Sequence, residues 1–256
     1  MTGEVEFDRI APVYDETRRP PSGEELDALA AMLGSCRTLL DAGVGTGRFA
    51  VPLRERGFDI VGVDLSLGMM RRARSKGVSA LIRADVLRLP LGDRVVDAVF
   101  MAHVLQLLPD PRLVLRELGR VARRRVVVQL PEWFDRPPSD AARRRRARYR
   151  EIAAELGYPL PDRGPRYWHT LEELSGIVPP IDVRAVTRPP PTEDPPDERF
   201  VRWAAEMFGG GQIPADVHSE IVRRLRAEFP GDSSWWRRPR TSRFVAWDAA
   251  QLSVLT

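Results

Sequence analysis

Lysine is all but missing from this chain: Lys76 is the only one, and arginine supplies every other basic charge. The net charge of +4 therefore rests on one-sided arginine usage, which codon bias produces more readily than a nucleic-acid surface does. Cysteine occurs once, at Cys36, which excludes a disulfide framework and any multi-cysteine metal site. Histidine is scarce too; His103, His169 and His218 stand far apart with no HExxH, so no metal is expected. No apolar run approaches the ~18 residues of a membrane span. The opening MTGEVEFDRIAPVYDE lacks the apolar stretch of a secretory signal, so a cytoplasmic protein with no membrane partner is the simplest expectation. With 43% hydrophobic and 30% charged residues, the 256-residue chain has the makings of a sizeable core.

What is present is an alternation. A capped helix is expected over SGEELDALAAMLG, where Ser22 and Glu25 form a capping box and Gly34 ends it. Strand-like runs follow at 38–43, 58–65, 78–85, 94–102 and 124–130, most of them separated by amphipathic helical stretches. Short apolar strands alternating with helices predict a parallel sheet covered on both faces. After Pro131 the character changes to prolines, an arginine run at 143–146 and the helical ARRRRARYREIAAELG. Beyond it are a short helix near Thr170, a strand at 181–188 and a proline-rich connector at 188–198. Helical stretches at 198–208 and 215–229 precede a last strand at 242–249. The expected organisation is an α/β core at 37–130, completed by strands within 181–256. Cap segments would come from 1–36, 131–180 and about 189–240.

The chemistry concentrates in LLDAGVGTGRFA, with Gly43, Gly45 and Gly47 behind Asp41. A P-loop would need a lysine after its glycines, and none is there. A dinucleotide fingerprint would want a third glycine where Arg48 stands, and Asp41 would repel a pyrophosphate but welcome an ammonium group. Asp64 ends the next strand, where a carboxylate can accept both hydroxyls of a ribose. Asp85 ends the third, placed to accept from an adenine amino group while Val86 offers its backbone N–H. Amine, ribose and adenine on three successive strand ends describe S-adenosylmethionine, a nucleoside with an amino-acid tail and no phosphate.

DAGVGTGRF, VGVDLSLGMM, ADVLRLPLGDRVVDAVFMAHVLQLLPDP and FDRIAPVYDETR together resemble class I SAM-dependent methyltransferases of the broad methyltransferase type 11 group, over about residues 7–130. The resemblance implies a doubly wound, mostly parallel seven-stranded sheet of the Rossmann-like methyltransferase kind, with a mainly helical cap. It also implies that Gly43, Gly45 and Gly47 pass under the methionine part of the cofactor and that Asp64 holds the ribose beside Leu65. Met69 matches an apolar position near the adenine, Asp85 and Val86 match the adenine edge, Ala102 matches a backbone contact to the methionine moiety, and Tyr14 matches a tyrosine closing over the cofactor. The quinone-biosynthesis branch carries an Asn-rich signature and a Trp-Arg pair after its Tyr-Asp dipeptide; Tyr14-Asp15 is followed by neither.

His103, after the fourth strand, is the first candidate for a general base and His169 the second; each could equally be structural. His218, in a late amphipathic helix, is expected at the surface. The arginine run reads as a solvated helix face, with an RNA footprint as its rival reading. Trp168, Trp203, Trp235 and Trp236 could line an apolar acceptor pocket or fill a small cap core. The expected activity is methyl transfer to a small, partly apolar acceptor. The alternatives are an RNA methyltransferase and a catalytically silent cofactor-binding protein, with a dinucleotide oxidoreductase weakest.

Overall fold

The computed structural model describes residues 7–8, 10–12, 14–18, 20–130, 140–160, 167, 169–189, 213–229 and 240–255. The expected helix at 198–208 and Trp168, Trp203, Trp235 and Trp236 lie outside the described residues.

The larger unit comprises Pro20–Asp135, Pro165–Thr187 and Thr241–Thr256. Its sheet has seven strands: β1 Thr38–Ala42, β2 Asp59–Asp64, β3 Ala80–Arg83, β4 Val96–Ala102, β5 Ala122–Leu130, β6 Asp182–Arg188 and β7 Arg240–Asp248. They are ordered β3-β2-β1-β4-β5-β7-β6. The pairs β1–β2, β2–β3, β1–β4 and β4–β5 are parallel, while β5–β7 is antiparallel. The order reverses beside β1, the crevice where open α/β sheets hold their ligands.

The two-residue period of the strands decides the layers. Leu39, Ala98, Phe100, Val127, Phe244 and Ala246 face helices α1 (Gly23–Leu33), α2 (Ala50–Glu55) and α3 (Leu67–Ser75). Leu40, Val99, Val126, Val128, Val245 and Trp247 face α4 (Pro111–Val121), α6 (Leu171–Ile177) and α8 (Ala249–Ser253). Buried on both sides, the central strands read as continuous apolar runs, as parallel strands must. The caps are as the sequence predicts: Ser22 and Glu25 complete the capping box of α1, which Gly34 ends, and Thr170 caps α6 through the Glu173 amide.

Two parts expected in the cap belong to this unit. Helix α1 packs Leu26, Leu29 and Leu33 onto the sheet, and α6 buries Leu174 in the core of the other face. In each case an apolar helix stripe finds the sheet first.

The smaller unit comprises Met1–Arg19, Arg136–Gly164 and Arg188–Arg240. In it α5 (Asp140–Glu155) and α7 (Ala215–Glu228) share a core of Tyr149, Ile152, Ala153, Leu160, Ile213, Ile221 and Leu225. His218 corrects the expectation of a surface residue: it is 1% exposed, and its Nδ1 shares a hydrogen bond with the Tyr149 hydroxyl. Its helix turns this position toward Tyr149, a partner 69 residues away that sequence spacing does not reveal. Among the described residues no helix is long and apolar enough to cross a membrane, and no His/Cys/Asp/Glu group is arranged to hold a metal ion.

Candidate functional site

Strand register brings the predicted carboxylates to one edge of the sheet. Asp41 sits one residue before the end of β1, opposite Gly62 of β2 and Phe100 of β4. Asp64 ends β2 and Ala102 ends β4. Between them runs the glycine loop, pinned to β2 by two bonds: the amides of Gly43 and Val44 both donate to the Val63 carbonyl, at 2.8 and 2.9 Å. The Gly45 amide donates to Oδ2 of Asp64 at 2.8 Å, and the Ser66 amide donates to Oδ1 at 2.9 Å. Ser66, not Asp64, caps α3, accepting from the Met69 amide. Lys76 reaches back from the far end of α3 to donate to the Thr46 carbonyl at 3.0 Å, which ties the loop to a second helix.

Two of the three glycines answer different demands. Gly43 has φ +86°, and a Cβ there would stand 2.2 Å from Cγ2 of Val104. Gly45 has φ +53°, yet a Cβ there would meet nothing within 4 Å among the described residues. The first is a packing requirement. The second answers to its left-handed backbone, beside the bond its amide makes to Asp64.

Asp41 is 3% exposed. Burial pushes its carboxyl up to about 7, the neighbouring Asp64 carboxylate adds to the rise, and the Arg48 guanidinium opposes it. Arg48 also lies 3.0 Å from Nε2 of His103. Because guanidinium can only donate, that ring nitrogen accepts and the imidazole proton resides on Nδ1. His103 has a left-handed φ of 59°, uncommon outside glycine, and its carbonyl accepts from the Gln106 amide nitrogen at 2.9 Å. A bare sequence signal existed for Arg48, which takes the place of the third glycine of a dinucleotide motif; its contact with His103, 55 residues on, had none.

The remaining predicted residues divide. Met69 and Val86 are buried, Leu65 is exposed, and Asp85 is exposed with Oδ1 accepting from the Leu87 amide at 2.9 Å. His169 is buried with Nε2 donating to the Leu108 carbonyl at 2.8 Å, and its Nδ1 lies 3.5 Å from Oε1 of Glu173. The ring stacks on Tyr167. Tyr14 belongs to the smaller unit, in the turn Tyr14–Thr17, with the Arg18 guanidinium over its ring.

A sheet of this order, with a glycine loop between β1 and α2 and acids at successive strand ends, defines a doubly wound α/β domain. Residues 40–128 match the family described as a methyltransferase domain. A demethylmenaquinone methyltransferase of Renibacterium salmoninarum is 32% identical over 126 residues, 46% of this chain and 52% of that protein. A malonyl-[acyl-carrier protein] O-methyltransferase of Serratia marcescens is 40% identical over 120 residues, 46% of this chain and 47% of that protein. The chain thus spans about half the length of these curated relatives. Among solved structures, a SAM-dependent methyltransferase from Thermotoga maritima superposes with a TM-score of 0.54 at 19% identity, over 94% of this chain and 98% of that one. A phosphoethanolamine N-methyltransferase of Haemonchus contortus, in complex with S-adenosyl-L-methionine, gives 0.53 at 16%, over 94% of this chain and 56% of that one. Likeness at these identities is one of fold.

Proposed function

We propose that this chain is a SAM-dependent methyltransferase acting on a small, partly apolar acceptor. The observation that carries the reading is the pairing of Asp64 with Gly45: a carboxylate at the end of β2 that orders the glycine loop, set against backbone whose added Cβ would meet no described residue within 4 Å. In this reading Asp64 accepts the ribose hydroxyls, and Gly43, Gly45 and Gly47 underlie the amino-acid tail. Asp41 supplies negative charge for the ammonium group, and Ala102 offers backbone to the methionine part. Leu65 and Met69 flank the nucleoside, and Asp85 and Val86 meet the adenine edge. When bound, S-adenosylmethionine supplies an activated methyl group on sulfonium.

The chain's own residues then have to align and to exclude water. Holding the reacting atoms in line accounts for ~7–11 kcal/mol of a barrier of this type. A base is needed only where the acceptor must lose a proton. His103 follows β4 at the carboxyl edge of the sheet, and for that role its Nε2 has to exchange the bond from Arg48 for the acceptor's proton. His169 is occupied at Nε2 by the Leu108 carbonyl, which favours a positioning role over a catalytic one.

The RNA reading loses support in the smaller unit. Arg148, beyond the run, is bonded to Glu228, Glu151 and Glu155, and Arg143 to Asp140, so part of the basic charge of this helix is already paired within the unit. Calorimetric titration with S-adenosylhomocysteine, with NADH as control, tests the proposal. Micromolar binding of the former alone is expected; binding of NADH alone would overturn it. Methyl transfer from labelled cofactor across an acceptor panel then separates an enzyme from a silent binding protein.

A further inference from the structure

The inference concerns Gln106 and names a class of methyl acceptor, so it rests on the methyltransferase reading above. Gln106 lies in the short 3₁₀ turn Leu105–Leu107 that follows β4. The segment leading into this turn packs onto the glycine loop at two points. Cγ2 of Val104 lies 2.2 Å from where a Cβ on Gly43 would stand, and Nε2 of His103 lies 3.0 Å from Nη2 of Arg48. From the other side the Tyr167 amide donates to the Gln106 carbonyl at 2.9 Å, and Nε2 of His169 donates to the Leu108 carbonyl at 2.8 Å. The Gln106 side chain has a fixed polarity. A carbonyl only accepts, so the atom 2.9 Å from the His103 carbonyl is the amide nitrogen. Oε1 is thereby turned away from that carbonyl; it is closed off from the surface and receives no hydrogen bond from any described residue. A buried acceptor without a donor is uncommon and costs free energy, so it marks a place where a donor from outside the chain belongs.

We propose that this donor is an N–H of the methyl acceptor, and that the acceptor is a small primary or secondary amine methylated on nitrogen. The place fits: through His103 the carboxamide is tied to the edge of the glycine loop, over which the reacting methyl lies in that reading. The chemistry selects nitrogen. An amide oxygen accepts a hydrogen bond but does not take up a proton near neutral pH. A hydroxyl bonded to Oε1 would have its single proton held where nothing can remove it. An amine keeps its N–H bonds throughout. Its lone pair forms the N–C bond while the C–S bond breaks, the electron pair of that bond stays on sulfur, and the positive charge passes from sulfur to nitrogen. No proton moves in the step; the amine enters in its neutral form, with the extra proton left in solvent. The neighbouring imidazole agrees with a step that needs no base, since Nε2 of His103 is engaged by Arg48. Gln106 is then a specificity residue, which turns the nitrogen lone pair toward the methyl by holding one of its hydrogens.

The test uses the whole chain, labelled S-adenosylmethionine and matched pairs of probes: benzylamine and benzyl alcohol, phenethylamine and phenethyl alcohol, aniline and phenol. At least one amine is expected to be methylated with a kcat/KM roughly tenfold above that of its hydroxyl partner, the worth of one hydrogen bond. Gln106→Leu should raise KM for that amine by a similar factor and erase the preference, with affinity for S-adenosylhomocysteine unchanged by calorimetry. Gln106→Glu keeps an acceptor oxygen but cannot donate to the His103 carbonyl. It should retain the preference, and it carries the test if the leucine variant fails to fold. Amine kinetics untouched by Gln106→Leu would mean that water alone satisfies Oε1, which overturns the proposal. Equal losses for both members of a pair make Gln106 structural and overturn it too. So do faster turnover of the hydroxyl partners, a preference that disappears in Gln106→Glu, and no methylation of any amine by a chain that binds S-adenosylhomocysteine. Failure to bind S-adenosylhomocysteine overturns the methyltransferase reading, and the amine assignment with it.

Discussion

The Gly45 amide donates to Oδ2 of Asp64 at 2.8 Å, across 19 residues of sequence. One bond thus fixes both the height of the glycine loop and the direction of the carboxylate that ends β2. Replacing Asp64 by Ala removes the loop's anchor together with the proposed acceptor for a ribose. Affinity for S-adenosylhomocysteine should fall by roughly 1–3 kcal/mol, the worth of charge-assisted hydrogen bonds. Calorimetry on a variant of unchanged melting temperature reads this directly; unaltered affinity would remove Asp64 from the site.

Gly43 and Gly45 should respond in opposite ways. Gly43→Ala drives a Cβ to within 2.2 Å of Val104, so it should destabilise the domain by about 1–3 kcal/mol, visible as a lowered midpoint of thermal unfolding. Gly45→Val has room for its side chain and should fold with only the modest cost of a left-handed backbone, roughly 1–2 kcal/mol. Its defect should lie in binding, because the branched side chain fills the space that faces Asp64. A folded Gly45→Val protein with undiminished affinity would show that the ligand does not lie on this loop.

His103→Ala should leave cofactor affinity nearly intact and lower turnover, once an acceptor is found that must lose a proton. Because Arg48 donates to the imidazole, Arg48→Met serves as a companion. If the ring works only when so oriented, that variant should change the pH profile of turnover without abolishing it. Full turnover in His103→Ala would make the histidine structural.

The helix pair α5 and α7 should lose stability in acid. Burial holds the His218 ring down to about 4, below its ordinary value of 6.5, so the neutral form is the one the fold accepts. The unfolded chain takes up the proton first as pH falls. The contribution is therefore complete above pH 6.5 and is lost progressively between 6.5 and about 4. Circular dichroism melts at pH 7 and pH 4.5 should show the drop, and His218→Gln should reduce it.

Much of the architecture could be read without coordinates, because its causes are local. The Ser22–Glu25 capping box, the Thr170 cap and the apolar runs of β1, β2, β4 and β5 each depend on residues a few positions apart. The same holds for the acids at strand ends. Once a run is a strand, its last residues stand at the sheet's carboxyl edge, and Asp41 and Asp64 follow. The antiparallel seating of β7 between β5 and β6 is not local, since it depends on which edge of the sheet remains open when the chain returns.

What the sequence by itself determined is the α/β core of the protein: alternating strands and helices, a loop of three glycines, and carboxylates timed to the strand ends. Tertiary structure alone decided the partners. Arg48 meets His103 across 55 residues, His218 is buried against Tyr149 across 69, and His169 is spent on a carbonyl 61 residues back. The physical reason is the same in each case. Burial and hydrogen bonding assign a side chain its proton and its role, and both are properties of the neighbours that packing supplies, not of the residue type or its spacing.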